Sequence, residues 1–254
     1  MRPMEESPAP MSDPHSLKMP SIVPESAEPE VRPSAMPPAL RGAVAGAVAL
    51  AILLIAGLLV DHWPFDWDRA ILVGLREHAH SRALAKAAVD ITALGSVPVL
   101  VLMVAGAAIL LLARGLWLTA LAVAAAGISG GAVVTLVKNA VSRARPDLVP
   151  HWVDVSNASF PSGHAAGSAM VYLTLAALAT QVTRHHRMRQ AIILLALLLV
   201  GAIGVSRVYL GVHWPSDVAA GWSFGTLWAL GWWWATAKLR VSWAAGGSAG
   251  RARQ

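Results

Sequence analysis

The chain has 254 residues, of which 56% are hydrophobic and only 13% charged, with a mean hydropathy of +0.57. Ordinary globular domains carry about 25% charged residues, so this chain cannot cover a water-facing surface, and the same numbers exclude disorder over its whole length. Cysteine is absent, which excludes disulfides, thiolate metal sites and a cysteine nucleophile.

Residues 1–38 differ in kind from the rest. They hold ten of the sixteen prolines, with Ser and Glu and almost no aromatic or β-branched residues. Such a composition buries too little surface to offset chain entropy, so the expectation is a disordered tail. It is not a secretory signal, because the apolar region begins near residue 39.

Six apolar spans follow, at roughly 40–60, 95–113, 116–137, 163–182, 190–206 and 216–237. About 20 helical residues cross a hydrocarbon core of about 30 Å, and without water every span must be helical. The fifth is short and needs its flanks. Small residues such as those from Ala124 to Gly131 suit close helix packing. The expected fold is all-α, a six-span transmembrane bundle over 39–240 with a short polar tail at 241–254. The long connection at 61–93 carries Trp63, Phe65 and Trp67, then an apolar run from Ala70 to Leu75 among charged positions. It reads as an amphipathic interfacial helix or as a loop packed on the bundle.

The net charge of +6 comes from basic residues scattered between apolar runs, which points to membrane orientation and not to nucleic acid. With the N-terminal tail inside, twelve of the 20 Lys and Arg residues are cytoplasmic and eight are not. The positive-inside rule then puts both termini inside. Arg184-His185-His186-Arg187 belongs to that charge signal and not to a metal site, and Trp232, Trp233 and Trp234 read as an interfacial anchor.

On this topology the connections after spans three and five share the outer face. They hold Lys138, Arg143, Arg145 and Pro146; Pro161, Ser162, Gly163 and His164; and Ser206, Arg207, His213 and Asp217. Taken singly, each has a structural explanation. Ser162 is an N-cap, Asp217 a first-turn carboxylate, Lys138 a snorkelling lysine and Arg143 a boundary charge. Taken together they do not. Lys138, Arg145 and Arg207 lack a matching acidic run, and guanidinium forks with an ammonium suit a dianion. Ser162 and Gly163 open a helix whose N-terminal amides attract an anion, with His164 beside it. Asp217, four residues after His213, can hold the imidazole and fix its tautomer. A metal site at His164, His213 and Asp217 is opposed by the three cations. An anion site is the stronger reading.

These segments, K-x6-R-P, P-S-G-H and S-R-x5-H-x3-D, resemble the signature of the type-2 phosphatidic acid phosphatase superfamily, with every position filled over a similarity spanning about 40–237. The resemblance implies a metal-independent membrane lipid phosphatase without a cofactor. His213 would be the nucleophile and form a phosphohistidine, Asp217 would orient it, and His164 would be the general acid. Lys138, Arg145, Ser162, Gly163 and Arg207 would cradle the phosphoryl oxygens. The implied substrate is a lipid phosphate in the bilayer, of the phosphatidic acid, phosphatidylglycerophosphate, undecaprenyl diphosphate or lipid A kind, and the implied location a bacterial inner membrane with the site outward. Two alternatives share these residues. One is a vanadate-dependent haloperoxidase, against which the six spans argue. The other is a non-catalytic transporter or scaffold, whose mark would be loss of His213, His164 or Arg207.

Overall fold

The computed structural model describes residues 38–62, 65–78 and 81–251, with side chains from 48 to 235 apart from positions 49, 63–64, 79–80 and 182. The expected disordered tail lies, but for Pro38, outside the described residues. Among the described residues there are eight helices and no strand: α1 (Pro38–His62), α2 (Asp66–His78), α3 (Arg82–Ala93), α4 (Val97–Ala113), α5 (Trp117–Val141), α6 (Gly163–Val182), α7 (His186–Tyr209) and α8 (Pro215–Arg251). Six of them coincide with the six apolar runs. The fifth run extends on both flanks to 24 residues, and α8 continues through most of the stretch read as a C-terminal tail.

The connection at 61–93 forms two helices and not one. α2 is amphipathic: Asp68 and Leu72 are buried on one face, while Trp67 and Ile71 are exposed on the other. The Phe65 ring stacks on Trp67 with centroids 5.4 Å apart.

Among the described residues two helices, α5 and α7, are long and apolar enough to cross a membrane alone. Two bent pairs, residues 50–62 with α2 at 75° and α3 with α4 at 43°, raise the number to four if each pair is one span. The six-span expectation is therefore not reached on length and hydropathy. α4 has 17 residues, about 26 Å at 1.5 Å per residue. α6 carries His164, Ser168, Thr174, Thr180 and Gln181 among its apolar residues.

Small residues bring the site-bearing helices together. Gly221 and Gly225 lie four apart on one face of α8, the small-xxx-small spacing that lets helix backbones touch. A Cβ on Gly221 would stand 2.7 Å from the Ser162 carbonyl oxygen, and one on Gly225 would overlap the Ala166 carbonyl. α8 thus lies directly on the first turns of α6. α1 joins through Gly57, where a Cβ would meet Val141 and Phe160 at 2.6 and 2.8 Å. The core beneath the site is Val134, Val137 and Val141 of α5, Phe160, Met170 of α6 and Phe224 of α8.

Candidate active site

Four helix ends and two loops converge here. α5 ends at Ser142, whose φ of 53° is left-handed and whose amide donates to the Lys138 carbonyl at 2.9 Å. That turn sends Arg143 and Arg145 back toward α8 and His213. The segment after them leads into α6, and residues 210–214 lead from α7 into α8. Pro215 suits the first turn of α8, where its missing N–H is no loss. Asp217 accepts from the Trp214 amide at 2.9 Å, so the third helical residue caps the residue before the helix. The Ser162 amide donates to the Asp217 carbonyl at 3.0 Å and fastens the start of α6 to that of α8.

His213 and Asp217 are fully buried. The imidazole Nδ1 lies 3.4 Å from Asp217 Oδ2 and 3.4 Å from Ser159 Oγ, whose hydroxyl donates to the same carboxylate oxygen at 2.5 Å. With the carboxylate at Nδ1, that nitrogen carries the proton and Nε2 keeps its lone pair. Nε2 faces Arg145 Nη1 at 3.3 Å. Burial pushes the imidazole down to about 3, against the hydrogen bond and charge of Asp217, and the charges of Arg145 and Arg207 add to the lowering. His213 is therefore neutral at physiological pH.

The cations surround this pair. Lys138, buried at the end of α5, donates to the Ala158 carbonyl at 2.6 Å and more weakly to that of Ser159 at 3.3 Å. Arg145 is braced by Asn157, through Nε to its carbonyl at 2.8 Å and Nη2 to Oδ1 at 2.6 Å, and donates from Nη1 to the Val212 carbonyl. Burial lowers its pKa from the usual arginine value, with the Asp217 charge opposing. Arg207, buried on α7, donates from Nη1 to Thr92 Oγ1 at 3.1 Å, and its Nε has no partner.

Ser162 caps α6 without a side-chain hydrogen bond, and its buried Oγ is likewise unpartnered. A Cβ on Gly163 would lie 3.8 Å from Lys138 Cε. His164 is half-buried against Gly95, within Coulombic reach of Arg207, His213, Lys138 and Arg145. All eight residues singled out in the sequence thus come together. Buried polar atoms without partners are rare, and here two of them, Ser162 Oγ and Arg207 Nε, belong to a cluster rich in donors. The arrangement can receive an anion with oxygens on several sides. Among the described residues no three of His, Asp and Glu group to hold a metal ion.

Arg143 does not behave as a boundary charge. It is buried between two carboxylates, with Nη1 at 2.5 Å from Asp217 and Nη2 at 3.2 Å from Asp68. Its guanidinium also lies over the Trp214 ring, 5.4 Å from the centroid. Asp68, Ser159, Asn157 and Thr92 were not expected either. The one signal for Asp68 is an acidic residue in a stretch otherwise bounded by interfacial aromatics; for the other three the sequence carries none.

The PAP2 superfamily model matches residues 115–240, which include all eight residues singled out in the sequence but not Asp68 or Thr92. Phosphatidylglycerophosphatase B of Bacillus subtilis is 38% identical over 96 residues, 36% of this chain and 45% of that protein. Decaprenylphosphoryl-5-phosphoribose phosphatase of Mycobacterium tuberculosis is 35% identical over half of this chain and 64% of its own length. Lipid A 1-phosphatase of Rhizobium etli is 34% identical over 41% of this chain and 44% of its own. The chain thus spans about half the length of the curated relatives it matches. Among solved structures, the transmembrane PAP2 type phosphatidylglycerolphosphate phosphatase of Bacillus subtilis superposes with a TM-score of 0.60 at 26% identity, over 72% of this chain and 92% of that one. LpxE of Aquifex aeolicus shares the fold, with a TM-score of 0.52 at 22% identity over 66% and 94%. With its apolar helices, this likeness makes the protein an integral membrane protein, and the chain belongs to the PAP2 superfamily.

Proposed function

We propose that the protein is a membrane lipid phosphatase that hydrolyses a lipid phosphomonoester or diphosphate through a phosphohistidine at His213, without a metal ion. The observation that carries this is a histidine whose Nδ1 faces a buried carboxylate and whose Nε2 faces Arg145, with Arg145, Arg207 and Lys138 all gathered around the neighbouring His164. The relatives' names, all phosphatases of lipid-linked phosphates, support the same class.

In this mechanism the phosphoryl group lies among the three cations, the Ser162 hydroxyl, the Arg207 Nε–H and the first-turn amides at Gly163. Phosphoryl transfer needs mainly positioning and neutralisation of the equatorial oxygens, and these groups supply both. His213 Nε2 attacks phosphorus; the P–N bond forms as the bond to the leaving oxygen breaks. Asp217 holds Nδ1–H and stabilises the charge that develops on the ring. His164 gives its proton to the leaving oxygen. Water then attacks the phosphohistidine, His164 takes its proton, and inorganic phosphate leaves with His213 neutral again.

Six membrane crossings, by α1 and α4 to α8, place both termini on the cytoplasmic side and the site at the outer membrane boundary, supported by the distribution of Lys and Arg. The lipid's phosphate reaches the cations from the interface while its chain stays between helices. The test is phosphate release by purified protein in detergent from phosphatidic acid, phosphatidylglycerophosphate, undecaprenyl diphosphate and a soluble aryl phosphate, each with EDTA and each against His213→Ala. Release that survives EDTA and needs His213 supports the mechanism. Release abolished by EDTA overturns its metal independence, and no release at all favours a transport or scaffold role.

A further inference from the structure

Resting on the reading of His213 as nucleophile, we propose that Asp68 of α2 and Arg143, just past the end of α5, are positioning residues, an ion pair that holds the Asp217 carboxylate against His213 and sets how much negative charge the histidine feels.

The two oxygens of Asp217 are divided between two tasks. Oδ2 takes the Trp214 amide and the Ser159 hydroxyl and faces His213 Nδ1. Oδ1 takes the Arg143 guanidinium at 2.5 Å. One arm of a rigid planar guanidinium, whose other arm is fixed on Asp68, holds Oδ1 and opposes its rotation, so the other oxygen stays on the imidazole.

An arginine bound to Asp217 alone would also neutralise it and weaken its grip on the imidazolium that forms during attack. Asp68 prevents this. Its carboxylate sits 3.2 Å from the other arm of Arg143, so one positive charge is shared by two carboxylates and the triplet keeps a net negative charge beside His213.

Asp68 is also fixed in place. Oδ1 accepts the Ser216 amide at 2.8 Å and Oδ2 accepts the Ser216 hydroxyl at 2.5 Å, while Ser216 Oγ in turn lies 2.9 Å from Arg143 Nη1. The Ser216 amide belongs to the first turn of α8 and has no intrahelical acceptor, so α2 caps the helix that carries Asp217. All three charged side chains are buried. A buried ion network of this kind brings little net stability, which leaves specification of geometry as its contribution.

The test compares Asp68→Asn, Arg143→Lys, Arg143→Gln and the double variant Asp68→Asn/Arg143→Gln in the full chain in detergent. The readouts are kcat and KM for phosphate release and the Nδ1–H resonance of His213 in 15N-histidine-labelled protein. Outer partners that orient a metal-bound histidine are worth about 10- to 100-fold, and the same scale is expected for a pair that orients the carboxylate of a nucleophilic histidine. Asp68→Asn, nearly isosteric and still able to accept from Ser216, is expected to lower kcat by that amount, leave KM within about twofold and move the His213 resonance. Arg143→Lys keeps the charge without the fork and is expected to recover part of what Arg143→Gln loses. The double variant is expected to lose less than the product of the two single losses, because the partners act as a unit. Wild-type kcat with an unmoved His213 resonance in Asp68→Asn overturns the proposal. The two readings fail separately: an inactive wild type whose His213 resonance still moves in Asp68→Asn removes the phosphatase and keeps the positioning pair, whereas His213-dependent activity indifferent to Asp68 does the reverse.

Discussion

The same three helices, α5, α6 and α8, present opposite chemistry at their two ends. At one end Lys138, Ser162, His164 and Asp217 lie in a close-packed polar cluster whose carboxylates are fully engaged. At the other, roughly 28 Å along α5 at 1.5 Å per residue, Thr119, Ala126, Leu173, Ala177, Ala229 and Trp233 line a cavity of about 610 Å³. Burying charge demands a partner for each group and a backbone that cannot shift, because an unpaired ion in low dielectric is severely destabilising. The apolar end faces no such demand, since hydrocarbon tails are as apolar as its walls.

The largest expected effect comes from removing the histidine at the polar end. His213→Ala is expected to lower kcat by about 10⁴-fold or more, as loss of a nucleophile acting within a unit does, while the helical circular dichroism stays native. Activity near wild type in that variant removes His213 as nucleophile. Next is Arg207→Lys, which keeps the charge but loses the buried Nε–H that has no protein partner. About a 10²-fold loss in kcat is expected, the scale of one donor to a developing charge. A change confined to KM would mean that the donor serves ground-state binding only.

The contact that fastens the polar end is tested at Gly221. Alanine there meets the Ser162 carbonyl oxygen, a backbone atom that cannot rotate away. Overpacking of this kind destabilises by about 1–3 kcal/mol, and because Ser162 is displaced, thermal stability in detergent and kcat are expected to fall together. Unchanged melting would show that α8 and α6 are less closely joined than the geometry indicates.

Acid should affect the polar end through His213. Its folded-state pKa, about 3 and held there first by burial, lies below the value of about 6.5 that an unfolded chain has. The unfolded state therefore binds the proton more readily. The stability gained from burying neutral imidazole is complete above pH 6.5 and is lost as pH falls toward 3. Melting of the wild type is expected to drop more between pH 7.5 and 5 than melting of His213→Ala, and the His213 limb of the pH profile of kcat/KM is expected well below pH 6.5. Equal drops in the two proteins would place the titrating group elsewhere.

The helices were legible because an apolar run in a membrane has one backbone solution: the run at 163–182 and α6 agree to the residue. The eight residues of the site were legible because three short segments bring together more cation and imidazole than structure alone requires. What was hidden is what holds those residues still. Asp68 meets Ser216 across 148 positions, Arg207 meets Thr92 across 115, and Arg143 meets Asp217 across 74. No spacing rule reaches that far. Arg143, read alone, has the composition of a boundary charge, and only the fold supplies its two carboxylates. The count of crossings is a separate matter: α4 is strongly apolar but only 17 residues long, and α6 carries hydroxyls among its apolar residues, so the helices that match those two runs are marginal as single spans.

The smallest expected effect is at the apolar end, where the comparison is easiest to break. Ala177 lines the cavity on α6, about 20 Å from His164 at 1.5 Å per residue. Leucine there adds three carbons on the side of the cavity it lines, unlike alanine at Gly221, which is set against a backbone carbonyl. Its new contacts are dispersive and weak individually. Ala177→Leu is expected to leave kcat and KM within about twofold for a short-chain and a long-chain lipid phosphate alike, with melting unchanged or slightly raised. A loss confined to the long-chain substrate would show that the cavity receives the far part of the lipid. The two ends would then be one substrate path, and the looseness of the apolar end would be a requirement of function and not a freedom left by the absence of charge.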